Sequence, residues 1–170
     1  MNVLDAMQAR RSVRRYLPKP VEEEKLQKVL EAVRLTPSRH NEQNIRVIVV
    51  QDPQRKHDLR TQANTQEMVE QAGAVLVLCA TDQTDFVMPC GQYGYVVDLS
   101  LATGFVLLEA AGQGLDTCIV CAFEESAVKK VLEIPDHVRV VSMVVLGYGD
   151  DPSPRKEKKP LESLVCRERF

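Results

Sequence analysis

The sequence contains no tryptophan, and phenylalanine and tyrosine together make up only 5% of its 170 residues. Proteins that bind single-stranded nucleic acid stack the bases on aromatic side chains, so this composition argues against such a surface. The net charge is only −2 and gives no overall attraction to nucleic acid or to an anionic membrane. An anion that binds here must therefore be held by a local cluster of basic residues.

Long apolar runs are missing as well. No uninterrupted stretch reaches the 18 or more apolar residues of a membrane span, and the N-terminus lacks the hydrophobic core of a signal peptide. The five cysteines form an odd set, which does not suit a secreted disulfide framework and fits a reducing compartment. The sequence therefore predicts a cytoplasmic protein, and its length suits a single domain over residues 1–170.

Several well-known motifs are also absent. The chain has no Walker-type loop, no GxGxxG and no GxSxG, and its three histidines show no HExxH spacing, so no metal site is predicted. One CxxC motif occurs, at Cys118 and Cys121, inside a predicted apolar strand where positions i and i+3 point to opposite faces. Two buried structural thiols are the expected interpretation. A thiol–disulfide function remains the weakest alternative.

Hydrophobic periodicity predicts alternating helices and strands. The predicted helices are a short N-terminal one with Val3, Leu4 and Met7 on one face, a second carrying Leu26, Val29, Leu30 and Val33, a third that starts at Asp52-Pro53, and three more over 64–72, 95–112 and 124–132. The predicted strands cover 46–51, 74–80, 115–123 and 138–146. This order indicates an α/β or α+β sandwich with helices on both faces of the sheet.

The helix predicted over 95–112 is apolar around nearly its whole circumference, which requires burial on all sides. A monomer of this size has few such positions, so the pattern predicts a homodimer. The last segment is also too apolar to stay in water, because it carries Leu161, Leu164, Val165 and Phe170. We expect it to dock, across the dimer if the dimer forms.

Three polar segments remain to be explained. The first, Arg10–Tyr16, places four guanidinium groups around one hydroxyl, a donor set that suits phosphate; a solvated helix end is the equal alternative. The second is the basic run at 155–159, which alone suggests a solvated surface. The third, Thr36–Asn44, is a polar loop before a strand, either a ligand wall or a simple turn. Together they predict a pocket for a planar anionic ligand, a phosphorylated cofactor.

These segments, in this order, resemble the nitroreductase family of flavoproteins. Residues 10–14 (RRSVR) resemble the family's RRS-x-R, and residues 35–43 resemble its APS-x-x-N-x-Q loop. Residues 114–118 with Ala122-Phe123 resemble GLGT-x…GAF. Residues 145–148, followed by 158–162, resemble the closing LGYP…RKPLEE. The resemblance spans the whole chain.

The resemblance implies an α+β fold, a three-layer α/β/α sandwich with a mostly antiparallel central sheet, in a domain-sharing homodimer with two FMN sites at the interface. It also implies a ping-pong oxidoreductase. This enzyme would take a hydride from NAD(P)H onto flavin N5 and pass it to a small-molecule acceptor such as a nitroaromatic or a quinone. No catalytic side chain is expected, because FMN carries the chemistry. A flavin storage or sensor protein without turnover is the alternative on the same fold.

The resemblance also implies which residues bind FMN. Those residues are Arg10, Arg11, Ser12, Arg14, Pro37, Ser38, Arg39, Asn41, Gln66, Cys121, Ala122, Lys156 and Lys158. The basic segment would hold phosphate, ribityl chain and pyrimidine edge, and the two lysines would add phosphate contacts. Cys121 and Ala122 would present backbone N–H groups to flavin N5. Residues of the polar loop would approach the FMN that is bound mainly by the other subunit.

Two departures from the family pattern concern the acceptor. Asn44-Ile45 stands where the family usually has Pro-Trp, which makes that wall more polar and less aromatic. Arg39 and His40 replace small residues and add bulk and charge at the entrance. The acceptor and the choice between NADH and NADPH are therefore left open by the sequence.

Overall fold

A four-stranded sheet lies between two layers of helices in the computed structural model, which describes residues 2–150 and 157–170. The described helices are α1 (Val3–Ala9), α2 (Glu23–Arg34), α3 (Pro53–Gln62), α4 (Met68–Gln71), α5 (Gly94–Gly112) and α6 (Glu125–Leu132). The described strands are β1 (Ile45–Val50), β2 (Ala74–Ala80), β3 (Asp116–Val120) and β4 (Arg139–Gly147). Short 3-10 turns cover Arg39–Asn41 and Leu161–Ser163.

The strands follow the order β1-β2-β4-β3, and each neighbouring pair is antiparallel. Ile45 is opposite Ala80, and Ala80 is opposite Arg139. The first residues of β1 and β4 and the last residues of β2 and β3 therefore lie at one end of the sheet, called here the Ile45 end. The antiparallel pairing confirms the predicted sheet type.

Alternate residues of β2 face the two helical layers, as the period of a strand requires. On one face Val75 and Val77 pack with α3, α4 and α6 in one apolar cluster. On the other face Leu76 and Leu78 pack with α2 and α5 in a second cluster. Because both faces of β2 are buried, all seven of its residues are apolar. The three-layer sandwich is confirmed.

Two predicted elements are shorter in the structure. The helix predicted over 64–72 covers only Met68–Gln71, because Asn64 adopts left-handed backbone angles (φ 51°) and Thr65 closes the end of α3 by hydrogen bonds to Leu59 and Arg60. The strand predicted over 115–123 ends at Val120. This second difference changes the environment of the cysteine that follows.

Helix α5 is covered on one side only within a protomer. Leu99, Ala102, Val106 and Ala110 are fully buried against the sheet. Four large apolar side chains on the helix, Val96, Val97, Leu101 and Phe105, keep 38–43% of their surface exposed. By length and composition α5 would also suit a membrane span, a test that the core helices of soluble proteins pass as well.

Apolar side chains at both ends of the chain are exposed too. In α1, Val3, Leu4 and Met7 are 52–68% exposed. Val3 and Met7 line an open groove of about 1000 Å³ together with residues of α2 and α5, including Phe105, and with Leu35 just after α2. The apolar side chains at 161–170 are also more than half exposed, so this segment does not dock on its own protomer.

Candidate cofactor site

The basic segment Arg10–Tyr16 is fixed to the sheet by backbone hydrogen bonds. The N–H of Val13 donates to the carbonyl of Thr117 at 2.9 Å, and the N–H of Leu17 donates to the carbonyl of Tyr148 at 2.8 Å. Helix α1 ends at Ala9 and Arg10 caps it, so the arginines that follow belong to an extended segment along β3. Of these arginines only Arg10 caps the helix, and the binding role of the others stays a prediction. The backbone places their side chains beside the edge of the sheet.

Asp116 links this segment to the end of β4. One of its carboxylate oxygens lies 3.7 Å from Arg11 Nε, and the other accepts a hydrogen bond from the N–H of Gly149 at 3.1 Å. A Cβ on Gly149 would lie 2.6 Å from Asp116 Oδ2 and 2.9 Å from Val13 Cγ1. The close approach therefore requires glycine at this position.

The chain leaves β4 beside the same segment. The guanidinium of Arg15 donates to the carbonyl of Asp150 at 2.7 and 3.0 Å, and the N–H of Asp150 donates back to the carbonyl of Arg15 at 2.9 Å. Of the two predicted tail ligands, Lys156 lies outside the described residues and Lys158 is exposed. Their contact with phosphate stays a prediction.

Cys118 lies on β3 between the apolar core and the basic segment and is only 3% exposed. Burial raises the pKa of its thiol above the usual value, and Arg14, the Ser12 hydroxyl and Arg10 oppose that shift because they favour the thiolate. Arg10, Ser12 and Arg14 thus all lie near the Cys118 thiol. The sequence interpretation of a buried structural thiol is confirmed for Cys118.

For Cys121 the same interpretation is wrong. Because β3 ends at Val120, Cys121 lies in the turn that follows the strand, and both it and Ala122 are exposed. The N–H of Glu124 donates to the carbonyl of Ala63 at 2.9 Å, which holds this turn against the end of α3. Gln66, three residues after Ala63, is exposed nearby in the chain.

The polar loop before β1 has an unusual backbone. His40, Asn41 and Gln43 all adopt left-handed angles, with φ between 48° and 58°. Residues other than glycine pay on the order of 1–3 kcal/mol each for sparsely populated conformations, which tend to persist at functional sites. The Ser38 hydroxyl supports the loop, because it accepts a hydrogen bond from the N–H of Gln43 at 3.0 Å. Pro37 and Asn41 are exposed at its surface.

Arg39 behaves differently from the rest of this loop. Its guanidinium donates to both carboxylate oxygens of Glu42 at 2.9 Å and also to the side chain of Gln83. Its backbone N–H lies 3.2 and 3.3 Å from the two carboxylate oxygens of Asp98. Arg39 is thus engaged within its own protomer, and its predicted contact with the cofactor stays a prediction.

The site residues fall into two groups at opposite edges of the sheet. One group flanks β3, where Thr117 and Cys121 are about 13 Å apart at roughly 3.3 Å per residue. This spacing leaves room for an elongated ligand along β3. The polar loop before β1 belongs to the other edge, about 14 Å away across three strand spacings of roughly 4.8 Å. The basic segment and the polar loop, the two predicted walls of the pocket, therefore lie at different edges of the sheet within one protomer.

Sequence reasoning missed the residues that hold these walls in place. Asp116 carried a visible signal, because it stands where the resembling motif GLGT has glycine. Glu42 and Gln83 carried none, since Gln83 meets Arg39 from 44 residues away in the chain. Such a contact depends on the fold and leaves no local pattern.

Comparisons with known proteins agree with this geometry. A family model described as putative TM nitroreductase matches residues 2–169. The NADH dehydrogenase of Thermus thermophilus is 32% identical, and the match covers 96% of each chain. The FMN reductase (NAD(P)H) of Bacillus subtilis is 31% identical over 99% of this chain and 74% of its own.

A solved structure shows the same fold over the full length. It is that of a nitroreductase family protein from Clostridium difficile, which superposes with a TM-score of 0.86 at 27% identity and covers 100% of both chains. Fold, basic segment and full-length match agree, and the chain belongs to the nitroreductase family.

Proposed function

We propose that the protein is an FMN-dependent oxidoreductase that takes reducing equivalents from NAD(P)H and works as a cytoplasmic homodimer. The observation that carries this proposal is the basic segment fixed along β3, next to the exposed turn Cys121-Ala122. Relatives named FMN reductase and NADH dehydrogenase support the cofactor and the reductant.

The residues around β3 fit FMN chemically. Arginine offers paired, permanently charged donors, which suit a phosphate of about two negative charges. In the proposed site Arg10 binds the phosphate, Ser12 meets the ribityl chain, and Arg14 lies at the pyrimidine edge, where its charge stabilises a reduced, anionic ring. Arg11 adds a contact from the same segment.

FMN, when bound, supplies the hydride and electron transfer that the side chains do not provide. The contribution of the chain is to bind and orient the ring. Backbone N–H groups of Cys121 and Ala122 face N5 in this proposal, and Gln66 approaches from the adjacent turn. The acceptor, a nitroaromatic or a quinone, then replaces NAD(P)H in a ping-pong cycle.

The homodimer is supported by two features of the protomer. The outer side of α5, together with α1 and the C-terminal segment, exposes large apolar side chains that water does not favour. The two walls of the site also lie at opposite edges of the sheet. A second copy places Pro37, Ser38 and Asn41 against the FMN that the first copy holds.

The test begins with FMN added to purified protein, followed by desalting. Retained flavin absorbance is expected, and colourless protein would refute the proposal. The loaded protein is then mixed anaerobically with NADH and with NADPH, and bleaching of the flavin band is expected with at least one. Flavin that stays bound but is bleached by neither would favour a storage or sensor protein. A panel of nitroaromatic and quinone acceptors then identifies the oxidant.

A further inference from the structure

One side chain, Arg39, joins the polar loop before β1 to the long loop between β2 and α5. This second loop, residues 81–93, begins directly after Ala80 and so emerges at the Ile45 end of the sheet. It has no helix or strand of its own. Its conformation therefore depends on side-chain contacts and on a few backbone hydrogen bonds.

The guanidinium of Arg39 makes the contacts that connect the loops. It is paired with Glu42 in its own loop, donates to Gln83, and lies 4.2 Å from the ring centre of Phe86. Only 24% of the Arg39 side chain and 28% of the Glu42 side chain are exposed. Charge-assisted hydrogen bonds and a cation over an aromatic ring are stronger when shielded from water in this way.

Arg39 also contacts the first turns of α5. The N–H of Arg39 contacts the Asp98 carboxylate, and a Cβ on Gly94 would lie 3.3 Å from Phe86 and 3.9 Å from Arg39 Nε. Gly94 thus leaves room for the Arg39–Phe86 stack. The loop of residues 81–93 is held at its beginning and at its end.

Backbone strain is concentrated around this contact. Gln83 adopts left-handed angles (φ 51°), as do three residues of the polar loop. Strained residues persist only where the surrounding contacts demand their conformation. The contacts of Arg39 with Glu42 and Gln83 hold the strained residues of both loops in place.

We propose that Arg39 is a positioning residue for the electron acceptor: it fixes the loop of residues 81–93 against the polar loop, so that both form one wall above the flavin ring. This rests on the proposed function, in which the polar loop approaches the ring. The charge of Arg39 is already matched by Glu42, so the side chain acts on the ring region through the loop.

The loop itself suits a planar aromatic acceptor. It offers the aromatic side chains of Tyr93, which is 48% exposed, and of Phe86, one face of which is covered by Arg39. Its charged residues are Asp82 and Asp85, both acidic and both exposed. A neutral ring, such as that of menadione or nitrofurazone, therefore meets apolar surface without repulsion between like charges.

The experiment compares Arg39→Met and Glu42→Gln with the control Arg55→Met. Arg55 also pairs with a carboxylate, that of Glu133, at 3.2 Å. It lies in α3, which begins just after the end of β1 opposite to the Ile45 end, away from the two loops. The first readout is hydrogen exchange in the protein without FMN. Loss of charged hydrogen bonds is expected to speed amide exchange in residues 81–93 about tenfold in Arg39→Met, and less in Glu42→Gln. The control is expected to match the wild type there.

The second readout uses the FMN-loaded enzyme. The expected result is a KM for menadione or nitrofurazone raised about fivefold or more, a rise several times larger than any change in the Kd of FMN. Unchanged exchange in both variants overturns the inference, and so does unchanged KM with faster exchange. A Kd of FMN that rises as much as KM would make Arg39 a cofactor ligand instead.

The two proposals fail in different ways. Wild-type protein that binds no FMN would refute the proposed function, while the exchange measurement would still test the contact between the loops. If Arg39→Met does not fold, Glu42→Gln keeps the test open, because glutamine has nearly the size of glutamate and retains a hydrogen-bonding oxygen. The same two readouts then decide.

Discussion

Asp116 connects the basic segment to the end of β4 through an ion pair and a hydrogen bond, and two substitutions should measure these contributions separately. Asp116→Ala removes the acceptor of the Gly149 N–H and also the partner of Arg11. Asp116→Asn keeps an oxygen in the same place and removes only the charge. The difference between the two variants therefore measures the hydrogen bond to Gly149.

The size of the effect follows from the geometry. A hydrogen bond from a backbone N–H to a carboxylate that is about one-third exposed contributes about 1 kcal/mol. The Arg11 pair, at 3.7 Å and about one-third exposed on both sides, contributes roughly 0–1 kcal/mol. Asp116→Ala is thus expected to lower the free energy of unfolding by about 1–2 kcal/mol, and Asp116→Asn by about 1 kcal/mol or less.

Urea unfolding of the protein without FMN provides the assay. It must be run at one fixed protein concentration, because association shifts apparent stability. Equal midpoints for the two variants would show that the hydrogen bond to Gly149 adds nothing. A wild-type midpoint for Asp116→Ala would refute the whole argument. We also expect weaker FMN binding in Asp116→Ala than in Asp116→Asn, since only the alanine variant releases the turn at Gly149.

Three further predictions concern other parts of the molecule. Arg14→Gln should weaken FMN binding about tenfold or more, through loss of a charged contact, while the free energy of unfolding measured with urea falls by no more than about 1 kcal/mol. Fluorescence titration checks the affinity, and unchanged affinity contradicts the prediction. In the native protein at pH 8 a thiol reagent should modify the exposed Cys121 but not Cys79, because burial raises the pKa of Cys79 to about 11 and keeps the thiol protonated. Peptide mass mapping measures the labelling, and equal labelling of the two cysteines would contradict the prediction. Phe105→Asp should shift the protein toward monomer in light scattering, whereas Ser126→Asp, on the exposed side of α6, should not; an unchanged dimer would exclude the outer side of α5 from the interface.

The sequence was informative where a local pattern has one structural solution. Strand β2 was predicted with the observed bounds, because seven consecutive apolar residues fit a strand buried on both faces. The helix over 64–72 failed, since a left-handed residue at Asn64 has no apolar signature. Residue type alone left the basic segment as either an anion site or a solvated helix end, and its attachment to Thr117 and Tyr148 needed the fold.

The least predictable part is the wall that faces the acceptor. Arg39 was predicted to approach the cofactor, on the strength of its position in a family motif, and the structure shows its guanidinium engaged by Glu42, Gln83 and Phe86. No local sequence pattern predicts the contact between Arg39 and Gln83, which are 44 residues apart in the chain.

The position of Arg39 also bears on substrate choice. The family match covers residues 2–169, nearly the whole chain. The residues at 39, 40, 44 and 45 depart from the family pattern, and all four lie in or directly after the loop that Arg39 organises. Differences in acceptor between this protein and its relatives should therefore arise from this loop and from residues 81–93, which it holds. The basic segment along β3, which follows the family pattern, should be common to them.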